Sequence, residues 1–169
     1  MRDDRQSHDR AGMTRRAALG TLGALGVAAA AGALTEPRPA VAQALGQQET
    51  VEAAMKRLFG TRPIKDGSAL VKLEIPLIAE NGAVVPVAVE VNSPMTPTSH
   101  VKHIYVVADK NRIPVVSKIT LTPEAGQAYV GENVRLGETG DVRAIVEQSD
   151  GTLLQVKREV KVTVGGCGG

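Results

Sequence analysis

The chain has 169 residues, room for one domain and an appendage, and its 20 lysines and arginines against 18 acids leave a formal net charge of +2. No block of like charge marks a nucleic-acid or anionic-membrane surface, and one phenylalanine with two tyrosines is too few aromatics for a base-stacking platform. A single cysteine cannot form an internal disulfide, so the fold has to rest on its apolar core.

The first 42 residues read as an export signal. Met1 to Arg16 is polar and arginine-containing, Leu19 to Leu34 is a run of Ala, Gly, Leu and Val with one Thr, and Pro39-Ala40-Val41-Ala42 supplies a small-residue cleavage box. Thr14-Arg15-Arg16-Ala17-Ala18-Leu19 places Arg15 and Arg16 directly before the apolar run, as in twin-arginine signals, whose cargo crosses already folded. The expected destination is the bacterial periplasm. The apolar run is short and weakly hydrophobic for a spanning helix, so no membrane anchor is expected in the mature chain. Removing this leader takes six arginines and four acids with it, leaving 14 basic and 14 acidic residues.

Residues 43–62 predict a short amino-terminal helix. Thr50 is placed to cap it, Val51, Ala54, Met55 and Leu58 fall on one face, and Gly60 stands where it would stop. The stripe is expected to cover one end of a core.

Residues 63–164 then change to a period of two. Val71, Leu73 and Ile75 alternate with Lys72 and Glu74, Asn81-Gly82 signals a tight turn, and Val85, Val87, Val89 and Val91 resume the alternation. After a Pro-bearing loop over residues 92–98, Val101 to Ala108 is apolar on both faces from Ile104 on, as a central strand would be. Further segments follow at 113–121, 128–136 and 142–147. The last runs from Leu154 to Val164, where Arg158 interrupts the apolar face, as on a guarded edge strand or at a bulge. Seven short strands without βαβ alternation predict an all-β fold, an antiparallel β-sandwich of immunoglobulin-like type. Phe59, Tyr105 and Tyr129 are expected in its core.

No catalytic constellation stands out within the sandwich. His100 and His103 would point to opposite sides of a strand, which is poor for joint metal binding, and no intrinsic cofactor or metal site is expected.

Residues 165–169, Gly165-Gly166-Cys167-Gly168-Gly169, are different in kind. Four glycines around one cysteine cannot pack as a strand or helix, so they read as a flexible arm with a thiol near its tip. Nothing in the sequence puts a helix dipole or fixed cation beside Cys167 to favour the thiolate, so activation has to come from whatever site the arm enters. Five extended residues reach at most about 17 Å, enough to thread a narrow channel.

The twin-arginine leader, the all-β domain and the terminal Val-Thr-Val-Gly-Gly-Cys-Gly-Gly together resemble the SoxY family, the sulfur-compound carriers of bacterial thiosulfate oxidation. Val91 to Thr96, Val101 to Lys110 and Ala144 to Gly151 resemble that family's central segments, and Arg112 stands where many members carry proline. The resemblance implies an immunoglobulin-like fold and a heterodimer with a second β-sandwich protein, SoxZ. It implies Cys167 as the covalent attachment point, with Gly165, Gly166, Gly168 and Gly169 as a swinging arm. It further implies visits to a c-type haem enzyme that conjugates thiosulfate, a dimanganese thiosulfohydrolase and a molybdenum sulfur dehydrogenase. On that reading the chain is a carrier and no enzyme. Other readings stay open from the residues alone: a structural or binding module whose cysteine forms an interchain disulfide, a carrier activated at its Gly-Gly carboxylate, and, least supported, an enzyme.

Overall fold

The computed structural model describes residues 46–165; the leader with Arg15 and Arg16, and Gly166 to Gly169 with Cys167, lie outside them. One helix, α1 (Val51–Phe59), precedes nine strands: β1 (Ile64–Asp66), β2 (Val71–Glu74), β3 (Ile78–Ala79), β4 (Val85–Val91), β5 (Val101–Ala108), β6 (Val115–Thr120), β7 (Ala128–Val134), β8 (Gly140–Gln148) and β9 (Leu153–Val162). The larger sheet runs β1-β9-β8-β5-β6 with β3 also on β9, and the smaller runs β2-β4-β7. The fold is mostly β, with two sheets packed as a sandwich and one short helix.

The helix forms where its signals lie. The Thr50 hydroxyl accepts from the Ala53 N–H at 3.2 Å, satisfying one of the first-turn donors. Gly60, at φ 62°, turns the chain out of the helix with its N–H on the Lys56 carbonyl, a conformation that favours glycine. Its apolar stripe lies on the outer face of the larger sheet rather than at one end of a core. There Val51, Met55 and Leu58 pack against Phe59, Tyr105, Val107, Ile145 and Leu153. Phe59 and Tyr105 meet edge to face, centroids 5.1 Å apart.

This arrangement accounts for the unbroken apolar run of β5. Ile104 and Val106 point into the layer between the sheets, while Tyr105 and Val107 point to the helix. A strand covered on both sides loses its polar alternation. The inter-sheet core is built from the predicted alternating residues, Val71 and Leu73 from β2, Val85, Val87, Val89 and Val91 from β4, and Val142, Ala144 and Val146 from β8.

Several expectations are corrected. Among the described residues there are nine strands and not seven, and the sandwich is not purely antiparallel: β1 pairs with β9 in parallel (Ile64↔Leu153), as does β3 (Ile78↔Lys161). Strands of three and two residues are too short to show a period. The Asn81 side chain does close a turn, accepting from the Ala83 N–H at 2.9 Å, but that turn passes from β3 in one sheet to β4 in the other. Tyr129 is not core; it is 52% exposed, on a strand whose other face meets the sheet interior. Arg158 marks no bulge, because the β8–β9 register is unbroken from Gly140↔Val160 to Glu147↔Leu153. It lies opposite Val142, where the edge of β9 is open between β1 and β3, so the edge reading holds for that stretch alone. A hollow of about 610 Å³ opens there, with Val71, Leu73, Val156 and Arg158 among its lining residues. Among the described residues no helix is long and apolar enough to cross a membrane.

Candidate functional site: the root of the carboxyl-terminal tail

β9 delivers the chain to the tail, and two loops grip it as it leaves the sheet. On one side the segment between β7 and β8 contributes Thr139. Its hydroxyl accepts from the Val162 N–H at 2.9 Å and donates to the Val162 carbonyl at 3.4 Å. On the other side β3 and the turn after it run alongside. The Thr163 N–H donates to the Ala79 carbonyl at 3.1 Å and its hydroxyl to the Glu80 carbonyl at 2.9 Å. The Gly82 N–H then donates to the Val164 carbonyl at 2.7 Å. Each such bond is worth roughly 1 kcal/mol net, so the root is held by several small increments up to Val164.

Gly165 is described, and it is not free of the domain. A Cβ on it would overlap the carbonyl oxygen of Gly137 and lie 3.6 Å from the carbonyl carbon. Only a glycine lets the backbones approach that closely. Gly137 is itself fixed. Its N–H donates to the Asn111 side-chain oxygen at 3.0 Å, and the Asn111 amide donates to the Arg135 carbonyl at 2.8 Å. The Leu136 N–H donates to the Gly82 carbonyl at 2.7 Å, tying the two gripping loops to each other. Asn111 is the buried polar side chain of the described residues, 8% exposed, and both ends of its amide are satisfied.

Sequence reasoning did not single out Asn111, Gly137, Thr139 or the role of Gly82. The only signal was the turn chemistry around Asn81-Gly82 and Asp109-Lys110-Asn111, which marks turns without saying what they touch. The turn at Arg112 forms normally. The Asn111 N–H reaches the Ala108 carbonyl at 3.2 Å, and Arg112 is exposed with its carbonyl accepting from the Glu49 N–H.

The two histidines are not brought together into a site. The His100 ring lies 3.2 Å from the Thr96 carbonyl, and the His103 ring lies 3.1 Å from the Thr120 hydroxyl, beside Tyr105. Burial first, then the Lys118 charge, holds the His103 imidazole below its ordinary value, with Glu147 opposing. Burial pushes the Tyr105 phenol up to about 12, further helped by Glu147. Both belong to the helix-covered face. Among the described residues no group of His, Cys, Asp or Glu is arranged to hold a metal. The described part of the chain thus mounts the carboxyl-terminal segment on the sandwich through bonds that reach Val164.

Comparison with known proteins follows the same lines. The family model for "Sulfur oxidation protein SoxY" matches residues 55–167, from within α1 through to the cysteine. The sulfur carrier protein SoxY of Chlorobium limicola f thiosulfatophilum is similar in structure, with 30% identity, a TM-score of 0.56, and coverage of 68% of this chain and 97% of its own. Two variants of superoxide reductase (neelaredoxin) from Ignicoccus hospitalis share the fold at 17% and 18% identity, each with a TM-score of 0.50. They cover 68% and 69% of this chain and 93% and 90% of theirs. No curated protein matches the chain. A sandwich that ends in a gripped root, and a family match that runs through the domain to its one cysteine, lead to the same place: the chain belongs to the SoxY family of sulfur oxidation proteins.

Proposed function

We propose that this protein is a periplasmic carrier that holds sulfur intermediates covalently on Cys167 and presents them to partner enzymes. The observation that supports this most directly is the family match extending to Cys167, beyond a root bonded to the domain as far as Val164. The twin arginines Arg15 and Arg16 support export by the folded-protein route, and the sandwich is taken to be of immunoglobulin-like type.

The loading step joins the Cys167 sulfur to the outer sulfur of thiosulfate. A sulfur–sulfur bond forms, the thiol proton is released, and two electrons leave one at a time, each reducing one ferric haem equivalent of the conjugating enzyme. Water then cleaves the sulfur–sulfonate bond, releasing sulfate and two protons and leaving a persulfide anion on the carrier. A disulfide-like adduct suits transit because it is stable until another thiolate exchanges with it. Gly166, Gly168 and Gly169 leave room for the loaded sulfur to enter a narrow channel, with a SoxZ-like protein as the standing partner. Haem, manganese and molybdenum belong to the enzymes visited.

Cys167→Ser in the mature protein tests the reading. It should leave the urea midpoint unchanged and abolish thiosulfate-dependent haem reduction in a reconstituted system. Intact mass of wild-type protein from thiosulfate-grown cells should show adducts that a thiol reductant removes. Sustained turnover in the serine variant would overturn the assignment.

A further inference from the structure

Asn81 is the one asparagine of this chain that is followed by a glycine. That pairing carries a chemistry of its own. The backbone nitrogen of the second residue can attack the side-chain amide carbon of the first and close a succinimide ring. A glycine in second place has no Cβ to hinder the ring and adopts the backbone angles it needs. The reaction balances without a cofactor. Solvent hydroxide removes the Gly82 N–H proton, and a bond forms from that nitrogen to Asn81 Cγ. The amide nitrogen takes a proton from water and leaves as ammonia. Water then opens the ring at either carbonyl, giving aspartate or isoaspartate, and nothing is oxidised or reduced.

The surroundings of this pair oppose the attack. The Asn81 side chain is exposed, whereas Gly82 is buried. The Gly82 N–H, whose proton has to leave, donates to the Val164 carbonyl at 2.7 Å, and the Gly82 carbonyl accepts from the Leu136 N–H at 2.7 Å. The Asn81 side-chain oxygen accepts from the Ala83 N–H at 2.9 Å, which holds the amide in a turn of its own. The nucleophile therefore stays protonated and shielded from hydroxide for as long as Val164 is in place. Val164 is kept there by its neighbours in the chain. The Thr163 N–H donates to the Ala79 carbonyl, the Thr163 hydroxyl donates to the Glu80 carbonyl at 2.9 Å, and Gly165 lies close against Gly137.

We propose that Asn81 is a latent deamidation site that the tail root holds shut, and that its conversion to isoaspartate leaves the root open. The isoaspartyl linkage runs through the former side chain and adds a methylene to the backbone ahead of Gly82. The Gly82 N–H and carbonyl then no longer meet Val164 and Leu136 together. Opening and modification reinforce each other: local fraying frees the Gly82 nitrogen, and the lengthened backbone prevents reclosure. The inference stands apart from the carrier reading, since it uses only bonds among the described residues.

The test uses the full mature protein in mildly alkaline buffer, with deamidation at each asparagine followed by peptide mapping and isoaspartate scored by methyltransferase labelling. The same chain in urea gives the unprotected rate. Native wild type should deamidate at Asn81 roughly 5–150-fold more slowly than in urea, the span that corresponds to one buried hydrogen-bonding group. Two variants loosen the root without touching the reacting pair: Gly165→Ala, which crowds the Gly137 carbonyl, and Thr163→Val, which removes the bond to Glu80. Each should raise the native Asn81 rate several-fold and leave Asn92 unchanged, since that asparagine follows β4 and is bonded to Leu70 instead. In the purified isoaspartyl form the Leu136 amide should exchange faster, while β5 and β8 amides keep their protection. A native Asn81 rate equal to that in urea overturns the lock, and so do unchanged Asn81 rates in both variants. A parallel rise at Asn92 overturns it too, because the effect would then be a general loosening. Full protection of the Leu136 amide in the isoaspartyl form overturns the claim that modification leaves the root open.

Discussion

Gly165→Ala puts the rigid root to a direct test. The added methyl would fall on the Gly137 carbonyl oxygen, well inside the roughly 3.5 Å at which non-bonded heavy atoms sit comfortably. Gly137 cannot retreat easily, because Asn111 holds its N–H at 3.0 Å and Leu136 beside it is bonded to Gly82. The root therefore yields, and the first bond to go is Gly82 N–H to the Val164 carbonyl at 2.7 Å. Gly82 is buried, so losing that acceptor costs about 1–3 kcal/mol, a factor of roughly 5–150 in the local opening equilibrium. The damage is confined to the last residues of the chain, and local fraying relieves it without unfolding the sandwich. Amide hydrogen exchange should show Gly82 losing protection by that factor while β5 and β8 amides are unchanged, and the thermal midpoint should move by only a few degrees. Wild-type protection at Gly82 in the alanine variant would refute the close approach and with it the fixed root.

Other perturbations reach the frame behind the root. Asn111→Ala removes both bonds of a buried amide, the one it donates to the Arg135 carbonyl and the one it accepts from the Gly137 N–H, which should cost about 1–3 kcal/mol in urea unfolding; a loss below about 0.5 kcal/mol would mean the amide is dispensable. Phe59→Ala removes the ring that meets Tyr105 and should cost about 3–5 kcal/mol, with near-ultraviolet dichroism of the tyrosine collapsing first. His103 carries a folded-state affinity for protons below the ordinary 6.5, so the unfolded chain binds the proton more tightly. Its contribution is complete above 6.5 and fades as pH falls through the lowered folded value, so the urea midpoint should decline on the acid side. His103→Gln should flatten that decline, and an unaltered slope would assign it elsewhere.

Much of this molecule can be read along the chain because its signals are local. A capping threonine and a stopping glycine place α1 within a residue, alternating apolar residues place β4 and β8, and an unbroken apolar run places β5, since period and capping depend on nearest neighbours alone. The final glycine-flanked cysteine is equally plain as a pattern, and that pattern carried the resemblance to the SoxY family. Pairings across long sequence separations left no such mark. β1 and β3 owe their existence to the exposed edge of β9, about 90 residues on in the first case, and strands of two or three residues have no period of their own. Tyr129 shows the same limit from the other side: an aromatic residue in an alternating segment is core on one parity and surface on the other, and only the sheet's orientation chooses.

The sequence by itself therefore determined the helix, the longer strands and which residue carries the thiol, because these are written in short windows. Tertiary structure alone decided that Asn111, Gly137 and Gly82 meet at the base of the tail beside Val164. These residues come from four separate parts of the chain, and only the pairing of β3 with β9 and the folding of the adjoining loops bring them within hydrogen-bonding distance.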